Sequence, residues 1–182
     1  LIKFGNVRLN YGNRTYNPFV EAASEGHFDI INYFLSLKEL DLKASDSKGI
    51  RALKAAVDNG HFDIIELLIK HGVINVNDKS QVGSLFLIAC ENSDIETMEF
   101  LDELLTIPYD LMGSSFMTKA IVNENEEIVS FLVSKNCDLQ NSLSFINFRG
   151  KWTPFMSFLK SKGASFTNIT LKSGLPVIVE AA

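Results

Sequence analysis

The sequence predicts an all-α fold in which short helix-turn-helix units repeat along the chain and stack into a solenoid. The first observation is an exact recurrence: the letters GHFDII at residues 26–31 return 34 positions later at residues 60–65. The second is a set of looser copies at 89–101, 120–136 and 155–164. A fixed period in this range indicates stacked repeats, each of which leaves an apolar face for its neighbour to cover.

The second copy shows why each unit should contain two helices. A first helix is predicted from about Ala52 to Asn59, with Leu53, Ala56 and Val57 on one face at helical spacing. Gly60 is expected to end it, because glycine adopts the left-handed conformation that closes many helices.

A second helix should follow from about Phe62. Asp63 lies in its first turn, where a carboxylate faces the positive end of the helix dipole. The apolar residues between 64 and 68 form the expected buried stripe, and Gly72 should end the helix. The Asn, Asp, Ser and Gly residues between Ile74 and Gly83 predict an exposed hairpin.

The same register divides the whole chain into one array. Residues 1–9 match the end of a preceding repeat, and the expected repeats are 10–43, 44–77, 78–109 and 110–139. A shortened repeat follows at 140–167, and 168–182 match the start of a further one. Because both ends fall within a repeat, we expect the chain to be an excerpt from a longer array.

Amino-acid composition argues against several classes of function. The 182 residues carry a formal net charge of −5, which argues against a general nucleic-acid binder. With 46% hydrophobic residues and 14 Phe the chain can bury a core, and its apolar runs are too short to insert into a membrane. Cys90 and Cys137 lie far apart and lack the spacing of a zinc or redox site. We therefore expect free thiols and a cytoplasmic protein.

The repeat unit resembles the ankyrin repeat. The family's pattern is met in part: Asp46, Gly49, Leu53, Ala56 and Gly60 match its first half. The matching residues of the second half are His61, Ile64, Ile65, Leu67, Leu68 and Gly72. The TPLH tetrapeptide of the family is altered in every copy, and none retains its histidine. The resemblance implies stacking that relies on apolar packing.

No pattern of catalytic or metal-binding residues is visible. His27 and His61 open second helices, so a structural role explains both, and His71 is the remaining histidine. Nucleophile-elbow, phosphate-loop and dinucleotide-binding motifs are absent, as are zinc and calcium spacings. Cys90 is expected to be buried, and Cys137 to be more accessible. We expect no enzyme activity, no cofactor and no small-molecule substrate.

The resemblance implies a scaffold that binds a protein partner through turn tips and the concave face. The expected contact residues are Asn13, Arg14, Tyr16, Glu21, Ser47, Lys48, Ile50, Arg51, Asp58, Lys79, Gln81, Val82 and Ser114. Several basic residues, including Lys48, Arg51 and Lys54, lie in turns or first helices and suggest an acidic partner, with simple solvation as the alternative. Two other interpretations remain: a regulatory or targeting segment of a larger enzyme or channel, and a purely structural spacer.

Overall fold

The computed structural model describes residues 17–37, 48–143 and 153–166, with Lys48 described by its backbone alone. Within these ranges the chain forms ten α-helices and no β-strand, which confirms the predicted all-α class. The helices are α1 (Pro18–Ser24), α2 (Phe28–Ser36), α3 (Lys48–Asp58), α4 (Phe62–Lys70), α5 (Lys79–Asn92), α6 (Ile95–Leu104), α7 (Tyr109–Val122), α8 (Glu126–Ser134), α9 (Leu139–Ser142) and α10 (Pro154–Ser161).

The chain divides into two compact units. The first contains Leu1–Ala89 and Glu96–Ile107, and the second contains Cys90–Ile95 and Pro108–Ala182. In the first unit α1 packs against α2 and α3, and α4 packs against α2 and α3. In the second unit α7 packs against α8 and α9.

Local sequence explains where several helices begin. Asn17 caps α1 by accepting a hydrogen bond from the Phe19 amide at 3.0 Å, and Pro18 occupies the first turn, where its missing N–H costs nothing. Thr153 and Pro154 repeat this arrangement at α10. Polar side chains that accept a backbone N–H therefore set the start of these helices.

One backbone motif ends helices in both halves of the repeat. After α3, Gly60 is left-handed at φ +68°, its amide bonds the Val57 carbonyl, and the His61 amide bonds the Ala56 carbonyl at 2.9 Å. This is a Schellman motif, which satisfies carbonyls that the helix leaves unpaired. The same pair of bonds follows α4 at Gly72, where the Val73 amide reaches the Leu68 carbonyl.

The motif persists where glycine is missing. Glu124 adopts φ +51° after α7, and Asn136 adopts φ +60° after α8, each with the same two backbone bonds. Ser93 also adopts a left-handed conformation, with φ +58° after α5. The chain reversal is therefore a property of the repeat and does not depend on the presence of glycine.

Small residues on first helices bring neighbouring repeats together in the first unit. Ala22, Ala23, Ala52 and Ala56 are at most 5% exposed, and α1 packs directly against α3. The predicted face of Leu53, Ala56 and Val57 is fully buried. Short side chains allow this close approach of backbones, so their spacing is a requirement of the stack.

His61 links two repeats of the first unit. Its Nε2 donates to the Ser24 carbonyl at 2.8 Å, and its ring lies against Gly26, where an added Cβ would come within 2.8 Å of it. The Asn59 amide reaches the Ser24 hydroxyl at 3.2 Å beside this contact. The structural role predicted for His61 is thus confirmed, and its contact explains why glycine precedes His27.

The predicted hairpin over 74–83 is wrong in its second half. Asp78 caps α5, accepting hydrogen bonds from the Ser80 and Gln81 amides, while the Gln81 side chain donates to Asp78 at 2.8 Å. Asp78 is therefore the N-cap of a helix that starts at Lys79. The connection is therefore a turn that ends at Asp78, and Lys79–Gly83 is helical.

We predict that Gly26→Ala destabilises the protein more than Gly163→Ala. Both glycines have positive φ, which costs a side-chain-bearing residue about 1–2 kcal/mol. At Gly163 a Cβ meets nothing within 4 Å, whereas at Gly26 it would collide with the His61 ring. Urea unfolding followed by circular dichroism should show a loss of about 2–4 kcal/mol for Gly26→Ala and about 1 kcal/mol for Gly163→Ala. Equal losses would contradict the proposed close contact.

We also predict that Asp78→Ala lowers stability at neutral pH and much less in acid. Hydrogen bonds from Gln81, first from its amide and then from its side chain, hold the pKa of Asp78 below its ordinary value of 3.8, with a further bond from Ser80. A lowered folded-state pKa stabilises the fold above pH 3.8, and this contribution is lost as pH falls through the folded value. Thermal melts at pH 7 and pH 3 should therefore show a difference from wild type that shrinks in acid; a constant difference would contradict the cap.

Candidate protein-interaction surface

The structure describes nine of the thirteen predicted contact residues. Asn13, Arg14, Tyr16 and Ser47 lie outside the described residues, and Lys48 is placed at the start of α3 without its side chain. Glu21, Asp58, Lys79 and Ser114 are exposed, while Ile50, Arg51 and Gln81 are half-buried.

Val82 does not lie on the predicted surface. It is 1% exposed, because the helix capped by Asp78 places it in the first turns of α5 on the side facing the core. The hairpin expected over 74–83 would have exposed Val82, and its burial corrects that expectation. Val82 supports the surface from beneath.

A cavity of about 180 Å³ opens between α3, α5 and the turn that joins α4 to α5. Its lining residues are Ile50, Leu53, Lys54, Ile74, Ser80, Gln81, Ser84 and Leu85. Leu53, Ile74 and Leu85 are at most 7% exposed and give it an apolar floor. Lys54, Ser80 and Ser84 are exposed at its rim, so the cavity is apolar below and polar above.

Hydrogen bonds hold one wall of this cavity in place. Gln81 uses both ends of its amide: the oxygen accepts from the Asn75 backbone at 3.1 Å and the nitrogen donates to Asp78 at 2.8 Å. Asn75 also accepts from the Asn77 amide at 3.0 Å, which stabilises the turn. The turn and the start of α5 are thereby tied together, and this wall is preorganised.

Lys54 differs from two other lysines of the described chain, Lys70 and Lys119. Lys70 pairs with Glu66 and Lys119 pairs with Glu91, each at 2.6 Å. No described carboxylate forms such a pair with Lys54, whose ammonium is carried on the exposed face of α3 at the edge of the cavity. The cavity therefore has a cation at its rim that is available to an external acidic group.

Only part of this site follows from the sequence. Ile50 and Gln81 were among the expected contacts, and both line the cavity. Lys54 was noted only for its charge, and Ser80 and Ser84 were missed. The D-x-x-Q spacing of Asp78 and Gln81 was a signal that α5 starts at Lys79, which would have placed these serines on a helix.

The cysteines do not form a reactive site. Cys90 is fully buried, and burial raises its pKa to about 12, with a smaller effect from Cys137. Cys137 is 7% exposed, so it is the more accessible thiol as expected, although it too is buried, and burial raises its pKa to about 11. It packs so closely on Gly113 that a Cβ there would lie 2.9 Å from its sulfur.

Across the described ranges, no group of three or more His, Cys, Asp or Glu side chains is arranged to hold a metal ion. None of the helices described in the structure combines the length and apolar character needed to cross a membrane.

Comparisons with known proteins point to one family. The family model described as ankyrin repeats (3 copies) matches residues 1–80 and, in a second alignment, residues 19–103. The chain is 28% identical over 120 residues to the ankyrin repeat protein R837 of Acanthamoeba polyphaga mimivirus, covering 66% of this chain and 17% of that protein. It is 27% identical over 136 residues to the ankyrin repeat protein FPV034 of Fowlpox virus (strain NVSL), covering 73% and 32%.

A third similarity is to the ankyrin repeat-containing protein P1E11.10 of Schizosaccharomyces pombe, with 35% identity over 78 residues, 41% of this chain and 35% of that protein. The chain thus spans about a third or less of the length of these relatives. The family match extends over more than half of the sequence, and the helix-turn-helix units agree with it. The chain belongs to the ankyrin repeat family.

Proposed function

We propose that this chain is a non-enzymatic scaffold that binds a protein partner through the exposed residues of its first helices and turns, and that it acts in the cytoplasm. Ankyrin repeats are generally protein-protein interaction modules. The observation that carries the proposal for this chain is the cavity between α3 and α5, which joins an apolar floor to a polar rim. Interfaces place their strongest contacts in such pockets.

The separation of buried and exposed positions on α3 supports the same function. Buried positions of α3 hold the stack together, since Leu53, Ala56 and Val57 are fully buried. Other positions of the same helix, such as Lys54, are exposed. The surface can therefore be adapted to a partner without changing the core.

The proposed lack of enzyme activity is supported by the state of the reactive side chains. The thiols are buried and their pKa values are raised, so little thiolate exists at neutral pH. The rings of His61 and His71 are each hydrogen-bonded to a backbone carbonyl, at 2.8 and 2.9 Å. Free, buried thiols also suit a reducing compartment, which supports the cytoplasmic location.

We predict that reversing the charges of Lys48 and Lys79, at the starts of α3 and α5, abolishes binding of the protein partner. Lysates of the source cell are passed over the wild-type chain and over Lys48→Glu/Lys79→Glu, and bound proteins are compared by quantitative mass spectrometry. A specific partner should fall about tenfold or more on the variant, because like charges across an interface are repelled.

The matched control is Lys160→Glu/Lys162→Glu, which makes the same charge change at the end of α10. This control should retain the partner. No specific partner on the wild-type chain would favour a structural spacer, and a partner lost equally from both variants would contradict the proposed surface.

We predict, separately, that both cysteines are unreactive in the folded chain. At pH 8 the thiolate fraction of a thiol with pKa about 11 is roughly a hundredfold below that of an ordinary cysteine, and burial adds a steric barrier. Labelling with a disulfide reagent such as DTNB should be slower than for free cysteine by at least that factor, and two thiols should react at once in urea. Fast labelling of the folded chain would argue for a reactive thiol.

A further inference from the structure

We propose that the cavity between α3 and α5 binds a short peptide segment in which a large apolar side chain lies next to an Asp or Glu. The apolar side chain would occupy the cavity, and the carboxylate would pair with Lys54 at its rim. This inference rests on the proposed protein-binding function, and it names the chemistry of the bound segment.

The size of the cavity selects a single side chain. At about 180 Å³ it is smaller than the roughly 300–1,000 Å³ of sites that hold cofactors or drug-sized ligands. An apolar cavity of about 150 Å³ accepts benzene, so this one has room for the side chain of Phe, Leu or Met. The fit favours an anchoring side chain over a free small molecule.

The floor of the cavity fixes the polarity of that anchor. Leu53 and Leu85 are at most 3% exposed, and Ile74 is 7% exposed, so a polar side chain would lose its hydrogen bonds to water there without replacement. Gln81 is already committed to Asn75 and Asp78, so its amide offers little to a polar guest. An apolar anchor is the consistent occupant.

The rim fixes the charge of the neighbouring residue. Lys54 is exposed beside the cavity, and no described carboxylate pairs with it. The exposed ammonium of Lys54 therefore favours an acidic residue beside the apolar anchor.

The test selects peptides without assuming a partner. A random 12-residue phage library is panned on the whole chain, and enriched sequences are made as fluorescent peptides for anisotropy titrations. The enriched peptides should carry a large apolar residue within two positions of an Asp or Glu.

Two rim variants then locate the site. Lys54→Glu should weaken binding of the selected peptides about tenfold or more, and Ser84→Phe should do the same by filling the cavity. Both residues are exposed, so the fold should be retained, as circular dichroism will check. Changing the acidic residue of the peptide to Lys should restore binding to Lys54→Glu, and Lys160→Glu should bind like wild type.

Four results would overturn the inference. Peptides without the apolar-acidic pattern, or peptides that bind both rim variants as well as wild type, would do so while leaving the protein-binding function standing. No enriched peptide would also overturn it, and the lysate capture would then report on the function independently. If the wild-type chain sediments as a dimer and Ser84→Phe as a monomer, a second copy of the chain occupies the cavity.

Discussion

The structure depends on a backbone constraint, the left-handed residue that closes the helices of each repeat. After α1 and α3, Gly26 and Gly60 turn the chain so that the following amide bonds a carbonyl five residues back. Two helices only a few residues apart can then pack against each other with their apolar stripes on the same side. Without this reversal the stripe of α4 could not meet that of α3, and the repeat would have no core.

Contacts between repeats reuse the same turn. The His61 ring lies against Gly26 and bonds the Ser24 carbonyl, so one repeat's turn is the docking site for the next repeat's histidine. In the second unit Asn123 reaches the Glu91 carbonyl and the Ser93 hydroxyl in a related way. In the first unit Asn59, at the position equivalent to Asn123, contacts Ser24 in the same way. The turn that closes α1 therefore also provides the contact surface for the next repeat.

Because backbone bonds and small buried residues carry the fold, the exposed side of the first helices remains available for recognition. On α3, Ala52 and Ala56 are fully buried, whereas Lys54 and Asp58 on the same helix face solvent. The cavity beside Lys54 lies where α3, α5 and a turn fixed by Asp78 and Gln81 converge. Its shape is therefore set by residues that also stabilise the fold, which makes it a rigid feature of the surface.

The sequence by itself determined the all-α repeat, the small-residue face of α3 and the left-handed turns at Gly60 and Gly72, because these depend on short-range spacing and on the freedom of glycine. It did not reveal that Glu124 makes the same turn, since glutamate seldom adopts a positive φ, whereas asparagine, as at Asn136, does so more often. The start of α5 was misjudged, because it depends on an N-cap at Asp78 within an apparent loop. Only the tertiary structure decided that Lys54 and Ser84 share a cavity: they lie on separate helices, and their proximity arises from packing that no sequence period reports.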